Sequence, residues 1–267
     1  METRRNTQRE RRKDLKSKSS QWLICCEGRS EAIYLTDLID ELSRKSGKES
    51  TGIFIGLNGK YCSRNGFQGA CGRQHCELLN RADTCRSSAF FEKVWIVFDQ
   101  DADGKPNADE LHKNFRTAIQ RGKDTDIEVI WSIPCFEYWL VSHINYYDTF
   151  STNIFNCLRS KFEASAEAGL RCNRRYQNQA GESHCSKPNP VICSKAFDKP
   201  YYNSFTSLGN ISGVKTACKN TARCYSKNKD LINKGKFKAI SCSSNMHILI
   251  EALCNYFGFS SIDEIKL

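Results

Sequence analysis

The sequence predicts an α/β fold in which a mainly parallel sheet is flanked by helices. Segments with helical periodicity alternate with short apolar runs, and this alternation is typical of a parallel sheet. The chain has 267 residues, of which 39 % are hydrophobic and 11 % aromatic, which is enough for a substantial core. Strands are predicted at the four apolar runs QWLICC (21–26), GIFIGL (52–57), VWIVFD (94–99) and DIEVIW (126–131).

The first predicted helix follows the first strand and has signals at both ends. Ser30 is the predicted N-cap, apolar residues between Ala32 and Leu42 form one face, and Gly47 ends the helix. Residues 58–90 then break the pattern with scattered Gly, Asn, Arg and Cys. This composition predicts an irregular insertion.

Further helices are predicted after the third and fourth strands and towards the end of the chain. One helix runs from Pro106 to about Gln120, and another begins within residues 132–144, with Pro134 in its first turn. Two more, at 211–227 and 244–257, predict a C-terminal extension that is mostly helical.

Charge and pattern divide the chain into three predicted parts. Residues 1–20 form an arm rich in Lys and Arg, residues 21–146 form the α/β core, and residues 147–267 form the helical C-terminal part of the same domain. The formal net charge of +10 favours an anionic partner, with nucleic acid as the first candidate.

The sequence contains neither a recognisable export signal nor a predicted membrane span. QWLICC is too short for the apolar part of a signal peptide, and no run approaches the ~20 apolar residues that a span needs. We therefore expect a cytoplasmic protein that does not bind membranes. In that compartment most of the 15 cysteines are expected to be reduced thiols.

Two groups of Cys and His residues raise the alternative of structural zinc. Neither group contains the C-x2-C spacing that identifies a zinc knuckle, so we interpret them as free thiols and leave zinc as the alternative. The first group is Cys62, Cys71, His75, Cys76 and Cys85, and the second is Cys172, His184, Cys185 and Cys193.

The acidic stretch DQDADGKPNADE (99–110) matches the spacing of a calcium-binding loop, with carboxylates at Asp99, Asp101 and Asp103. A calcium loop of that kind lies between two helices, whereas a predicted strand precedes this one. Pro106 also occupies a position that normally carries an aliphatic residue. These differences favour a second interpretation, in which the carboxylates hold a metal that takes part in catalysis.

Parallel strands bring the acidic residues of distant segments to one edge of the sheet. Glu27 follows the first strand, Asp99 and Asp101 end the third, and Glu137 follows the fourth. Carboxylates of this kind suit Mg²⁺ or Mn²⁺ and phosphoryl chemistry. Taken singly, Glu27 and Glu137 could be ordinary acidic residues of a first helical turn, and Asp101 and Asp103 could be turn residues.

Four segments resemble, in chain order, the signatures of the RloB family. The most specific is Pro-Cys-Phe-Glu followed by an aromatic residue and Leu, and the resemblance covers roughly residues 20–260. That family's core resembles a Toprim domain, the glutamate plus Asp-x-Asp fold of topoisomerases, primases and overcoming-lysogeny-type nucleases. The resemblance therefore implies a Toprim-like (Rossmann-like) sheet for this chain. The segments are CCEGRSEAIYL (25–35), VWIVFDQD (94–101), WSIPCFEYWLVSHI (131–144) and SSNMHILIEAL (243–253).

The resemblance also implies roles for individual residues. Glu27 matches the Toprim glutamate, which shuttles a proton or helps to hold a metal, and Asp99 and Asp101 match the metal-holding aspartates. Glu137 matches the glutamate of Pro-Cys-Phe-Glu. The chain departs from the family pattern at Ile133, where Asn is usual, and in a shorter segment around Arg29.

The sequence leads to one main functional hypothesis and two alternatives. The first is a Mg²⁺- or Mn²⁺-dependent Toprim-type nuclease of bacterial antiphage defence, with RNA such as tRNA favoured over DNA by the family analogy, and with an ABC-type ATPase as a partner in related systems. Arg29, Arg73 and Lys215 are candidate phosphate contacts. The alternatives are a catalytically silent nucleic-acid-binding or regulatory subunit and, less favoured, a phosphotransferase, for which a Gly-rich phosphate loop is missing.

Overall fold

A computed structural model describes residues 21–57, 60–61, 75–88, 91–102, 106–149, 205 and 208–266. Several predicted features lie outside these ranges: the basic arm, Asp103, Arg73, Cys62, Cys71 and the second group of Cys and His residues.

The described chain forms one six-stranded sheet. The strand order is β3-β2-β1-β4-β5-β6. Strands β2, β1, β4 and β5 are parallel neighbours, and the two-residue strands β3 and β6 pair antiparallel at the edges. The predicted α/β class with a mainly parallel sheet is therefore confirmed. The strands are β1 (Trp22–Cys26), β2 (Ile53–Leu57), β3 (Lys60–Tyr61), β4 (Lys93–Asp99), β5 (Glu128–Ile133) and β6 (Ser243–Ser244).

Helices cover both faces of the sheet and make up most of the described C-terminal part. Within the described ranges, no helix has the length and apolar character needed to cross a membrane. Short 3₁₀ turns lie at Phe237–Ala239 and Ile262–Glu264. The helices are α1 (Arg29–Ser46), α2 (His75–Ser88), α3 (Ala108–Thr125), α4 (Glu137–Val141), α5 (Asn210–Lys227), α6 (Lys229–Asn233) and α7 (Met246–Tyr256).

The core has two apolar clusters, one on each face of the sheet. Successive side chains of a strand point to opposite faces, so Trp22, Ile24 and Cys26 of β1 join the cluster beneath α1, α5 and α7. Leu23 and Cys25 join the cluster beneath α2 and α3. Because both faces are covered, β1 is an unbroken apolar run, which made it recognisable in the sequence.

Two predictions of local structure were wrong. The insertion was expected to be irregular, but its described part contains α2, whose residues Leu78, Leu79 and Ala82 are buried in the core. The helix expected from residue 132 begins only at Glu137, because Ser132 still belongs to β5 and pairs with Asp99 and Ser244. Pro134 follows a cis peptide bond in the connecting loop instead of lying in a first helical turn.

The first helix agrees with its prediction at one end. Gly47 lies in the left-handed region at φ 70° and ends α1 by donating its N–H to the carbonyl of Ser43. At the other end α1 begins two residues earlier than expected. Gly28 is the N-cap residue, so Ser30 lies inside the first turn.

The Asn245 side chain ties the start of α7 to the edge of β5. Its Oδ1 accepts a bond of 2.7 Å from the N–H of Trp131, and its Nδ2 donates at 2.9 Å to the carbonyl of Val129. We expect Asn245→Ala to lower the free energy of unfolding by about 2–3 kcal/mol, because it removes both bonds and leaves buried backbone groups without partners. Urea denaturation measures this loss.

Asn245→Asp is the matched variant for this prediction. It keeps the acceptor for Trp131 but turns a carboxylate oxygen towards the carbonyl of Val129, so it should be destabilising as well. If Asn245→Ala unfolded at the wild-type urea concentration, the side chain would not contribute to stability in the way described.

Candidate functional site

The strand order places the ends of β1 and β4 at the switch point of the sheet. The chain leaves β1 towards β2 on one side and returns to β4 on the other, and ligands of open α/β sheets bind at such a point, beyond the carboxyl ends of the strands. Glu27 follows β1 directly, and Asp99 is the last residue of β4. The two residues therefore flank the crevice.

Glu27 is held against β4 by its main chain and its side chain. Its N–H donates to the carbonyl of Val97 at 2.9 Å, which continues the parallel ladder by one residue. Its Oε2 accepts a bond of 3.1 Å from the N–H of Asp99. These contacts fix the Glu27 carboxylate next to Asp99.

The loop after β4 is bound to the loop after β5. Gln100 donates its N–H to the carbonyl of Ser132 at 2.9 Å, and Asp101 donates to that of Pro134 at 2.8 Å. Asp101 is exposed and has a φ of 46°, a left-handed conformation that Asp tolerates better than most residues. The N–H of Phe136 acts to lower the pKa of Asp99, so the start of α4, with Glu137 as its first residue, lies near the same edge.

Glu31 is a site residue that sequence reasoning missed. Its side chain lies in the first turn of α1, is only 4 % exposed, and has an Oε2 without a hydrogen-bond partner among the described residues. The carboxylate passes so close to Gly28 that a Cβ there would lie 2.5 Å from Oε2. In the sequence, Glu31 is visible only as an acidic residue in the first turn of the helix that follows Glu27.

Four carboxyl groups at this edge lie near enough to influence one another's ionisation. The pKa of Glu31 is raised to about 8, first by burial and then by the charges of Glu27 and Glu137, and hydrogen bonds from its own N–H and that of Gly28 act in the opposite direction. Burial also raises the pKa of Asp99 well above its usual value, and Glu31, Glu137 and Glu27 add to the shift. A cation at this position would relieve the repulsion between these groups.

Cys135 and His75 surround the acidic groups. Burial, and then the charges of Glu137 and Asp99, raise the pKa of the Cys135 thiol well above its usual value, so the thiol stays protonated. His75 Nε2 lies 2.6 Å from the carbonyl oxygen of Asp99, and its ring packs on Phe98 with centroids 4.8 Å apart. His75 therefore ties the end of β4 to α2.

The zinc alternative receives no support from the residues that can be described. Cys76 directs its Sγ to the carbonyl of Asn114 at 3.8 Å, while His75 contacts Asp99. Among the described residues, no group of three or more Cys, His, Asp or Glu side chains is arranged to hold a metal ion.

The candidate phosphate contacts are not brought together by the described chain. Arg29 is the first residue of α1, so its backbone lies at the acidic edge. Lys215 lies on α5 and donates from Nζ to the carbonyls of Asp263 and Ile265 at 3.2 Å and 2.9 Å. These contacts of Lys215 are with the C-terminal turn and not with the carboxylates.

One family model matches most of the chain. The family model of the RloB-like proteins matches residues 22–253, a range that includes all four carboxylates of the site. The search of curated proteins and the search of solved structures each found no match. Because the family model spans most of the sequence, the chain belongs to the RloB-like protein family.

Proposed function

We propose that the chain is a metal-dependent, Toprim-type nuclease that hydrolyses phosphodiester bonds. The observation that carries the proposal is the meeting of Glu27, Glu31, Asp99 and Glu137 at the switch point. Burial, and then repulsion within the group, raises the pKa of Glu31 and Asp99 there. Four carboxylates in so small a space favour a divalent cation as their natural counter-charge.

The donor set fits Mg²⁺ or Mn²⁺ in its chemistry. These cations prefer oxygen ligands, and Mg²⁺ usually takes only one or two carboxylates, with water and substrate phosphate completing the shell. A site of this kind does not require three protein ligands at bonding distance before substrate binds. Asp99 and Asp101 are the proposed metal ligands, together with Asp103, which lies outside the described residues.

The remaining residues have distinct proposed tasks. When bound, the cation supplies stabilisation of the negative charge that develops on the phosphate. Glu27 is oriented by the N–H of Asp99 and is placed to accept a proton from an attacking water. Glu31 and Glu137 complete the negative shell, and His75 holds the end of β4 that presents Asp99.

A nucleic-acid substrate and a defence role belong to the same proposal. The charge of +10 supports an anionic substrate, and RNA such as tRNA is favoured over DNA by the family resemblance. The resemblance also supports action in bacterial antiphage defence in the cytoplasm, with an ABC-type ATPase as partner.

A second candidate is a catalytically silent subunit that binds nucleic acid or regulates an ATPase. The observation that favours it is Ile133, whose side chain is 1 % exposed and packs in the cluster beneath α2 and α3. The polar side chain that is usual at this position is therefore missing from the neighbourhood of Pro134.

Cleavage by the purified protein tests the proposal. Total tRNA, single-stranded RNA and duplex DNA are incubated with Mg²⁺, Mn²⁺ or EDTA, and Asp99→Asn/Asp101→Asn should reduce the metal-dependent rate by about 100-fold or more. Asp126→Asn/Asp230→Asn is the control, because it removes two exposed carboxylates outside the site and should cleave like the wild type. Cleavage that survives in Asp99→Asn/Asp101→Asn would contradict the assignment.

Absence of cleavage by all variants would favour the silent subunit. The same assay is then repeated with an ABC-type ATPase of the kind that the family resemblance implies as a partner. Cleavage that still fails with this partner and ATP present would overturn the nuclease proposal.

A further inference from the structure

Helix α3 and the segment 233–239 enclose a continuous groove on one face of the molecule. It consists of two adjoining depressions of about 590 Å³ and 400 Å³, which share Arg116, Gly235 and Phe237 as lining residues. One wall is the exposed side of α3, and the other is the turn that follows α6.

The groove is strongly basic. Its lining includes one carboxylate, that of Asp109, whose Oδ1 accepts a bond of 2.8 Å from Lys238. Of the other cationic side chains, Lys113, Arg116, Lys123 and Lys236 are exposed and form no ion pair with a described residue. The seven cationic residues of the lining are Lys113, Arg116, Arg121, Lys123, Lys234, Lys236 and Lys238.

Rigid elements present these charges. Phe237 is buried and packs edge-on against Phe115 of α3 and Trp131 of β5, with centroids 5.3 Å and 5.7 Å away, which anchors the turn to the core. Gly235 has a φ of 65°, and a Cβ there would lie 3.4 Å from Cδ of Arg116. The turn therefore passes directly against the stem of Arg116.

The groove leads away from the carboxylate edge. Helix α3 begins at Ala108, seven residues after Asp101, so its first turns lie at the end of the sheet where β4 terminates. From His112 to Lys123 the lining follows α3 for about 16 Å at 1.5 Å per residue. One strand of a duplex carries a phosphate about every 3.4 Å along the helix axis, so this length spans about five phosphates of such a strand.

We propose that this groove binds the sugar-phosphate backbone of a nucleic-acid strand and directs it towards the carboxylate edge. The inference rests on the proposed function for its substrate, although binding does not depend on cleavage. The proposed binding surface consists of residues that sequence reasoning had not considered. It lies on the opposite face from Lys215.

Binding measured in EDTA tests the groove independently of metal-dependent cleavage. Fluorescence anisotropy measures the affinity of the full chain for labelled single-stranded RNA, tRNA, single-stranded DNA and duplex DNA over a range of salt concentrations. We expect Lys113→Gln/Arg116→Gln to weaken binding about tenfold or more at about 0.1 M salt. For single strands, the slope of log K against log salt should become shallower by about 1.4, since each lost contact removes about 0.7.

The matched control removes the same charge elsewhere. Arg44→Gln/Lys219→Gln changes two exposed cations on α1 and α5, which pair with Glu41 and Asp263 and do not line the groove. It should alter the affinity less than twofold. A second measurement uses the wild-type protein. Bound nucleic acid should protect Lys113 and Lys236 from chemical acetylation, which mass spectrometry detects.

Each result decides the proposal. Equal losses of affinity in the two double variants would show that only net charge matters and would contradict the proposal. Wild-type affinity of Lys113→Gln/Arg116→Gln would also show that the groove is not the binding surface. Failure of the wild type to bind any of the four nucleic acids would do the same. Binding that depends on the groove, without metal-dependent cleavage even when the ATPase partner and ATP are present, would retain the groove and reject the nuclease. The four ligands also show whether RNA or DNA is preferred.

Discussion

Glu31→Gln should make the metal-free protein more stable at alkaline pH. Glu31 is buried, and its pKa is raised from 4.5 to about 8 in the folded protein, so folding disfavours the ionised form. The unfolded chain loses the proton near pH 4.5 while the folded chain retains it up to about pH 8. The free energy of unfolding of the wild type therefore falls as the pH rises through this window.

The Gln variant has no proton to lose at this position. Its advantage over the wild type should be small at about pH 5 and on the order of 4 kcal/mol at about pH 8.5. Denaturant unfolding in EDTA at the two pH values measures the difference. Glu41→Gln, on the same helix, is the control and should change stability in the opposite direction. Arg44 lowers the pKa of Glu41, so removing the Glu41 carboxylate should reduce the free energy of unfolding.

The gain in stability should be accompanied by a loss of activity. If Glu31 belongs to the metal-binding shell, Mg²⁺ should stabilise the wild type more than Glu31→Gln, and metal-dependent cleavage should fall by about 100-fold or more. A variant that is less stable than the wild type at about pH 8.5 in EDTA would contradict the electrostatic description of the site.

Gly213→Ala should strongly destabilise the protein, although alanine is normally the better helix former. Gly213 lies within α5, and a Cβ there would come within 1.8 Å of the carbonyl oxygen of Leu208 and 3.1 Å of the His143 ring. The first of these atoms belongs to the backbone and cannot move as a side chain would. We expect the free energy of unfolding to fall by about 3 kcal/mol or more, whereas helix propensity alone would predict a gain of about 1 kcal/mol.

Ser212→Ala is the matched control for this substitution. It changes an exposed neighbour on the same helix to alanine and should leave the stability unchanged or slightly raised. Thermal or urea denaturation compares the two variants. A Gly213→Ala protein as stable as the Ser212→Ala protein would mean that α5 does not pack against Leu208 as described.

The apolar runs of the sequence predicted the four long parallel strands and the edge at which Glu27 and Asp99 meet, but not the two-residue edge strands β3 and β6. Strands buried on both faces must be apolar throughout, so β1 and β4 could be recognised without any long-range information. Since parallel strands end at a common edge, the proximity of Glu27 and Asp99 followed from chain order alone. Boundaries were less well determined: the pattern could not show that Ser132 would pair with Asp99 instead of starting a helix.

Tertiary structure alone decided which side chains join the site and which surfaces are available. Glu31 appeared as one more acidic residue of a first helical turn until α1 was placed with this side against the switch point, because burial depends on what packs around a residue. The basic groove likewise joins α3 to a turn more than 100 residues further along the chain. No local pattern encodes such a meeting, since it depends on how Phe237 and Phe115 pack in the core.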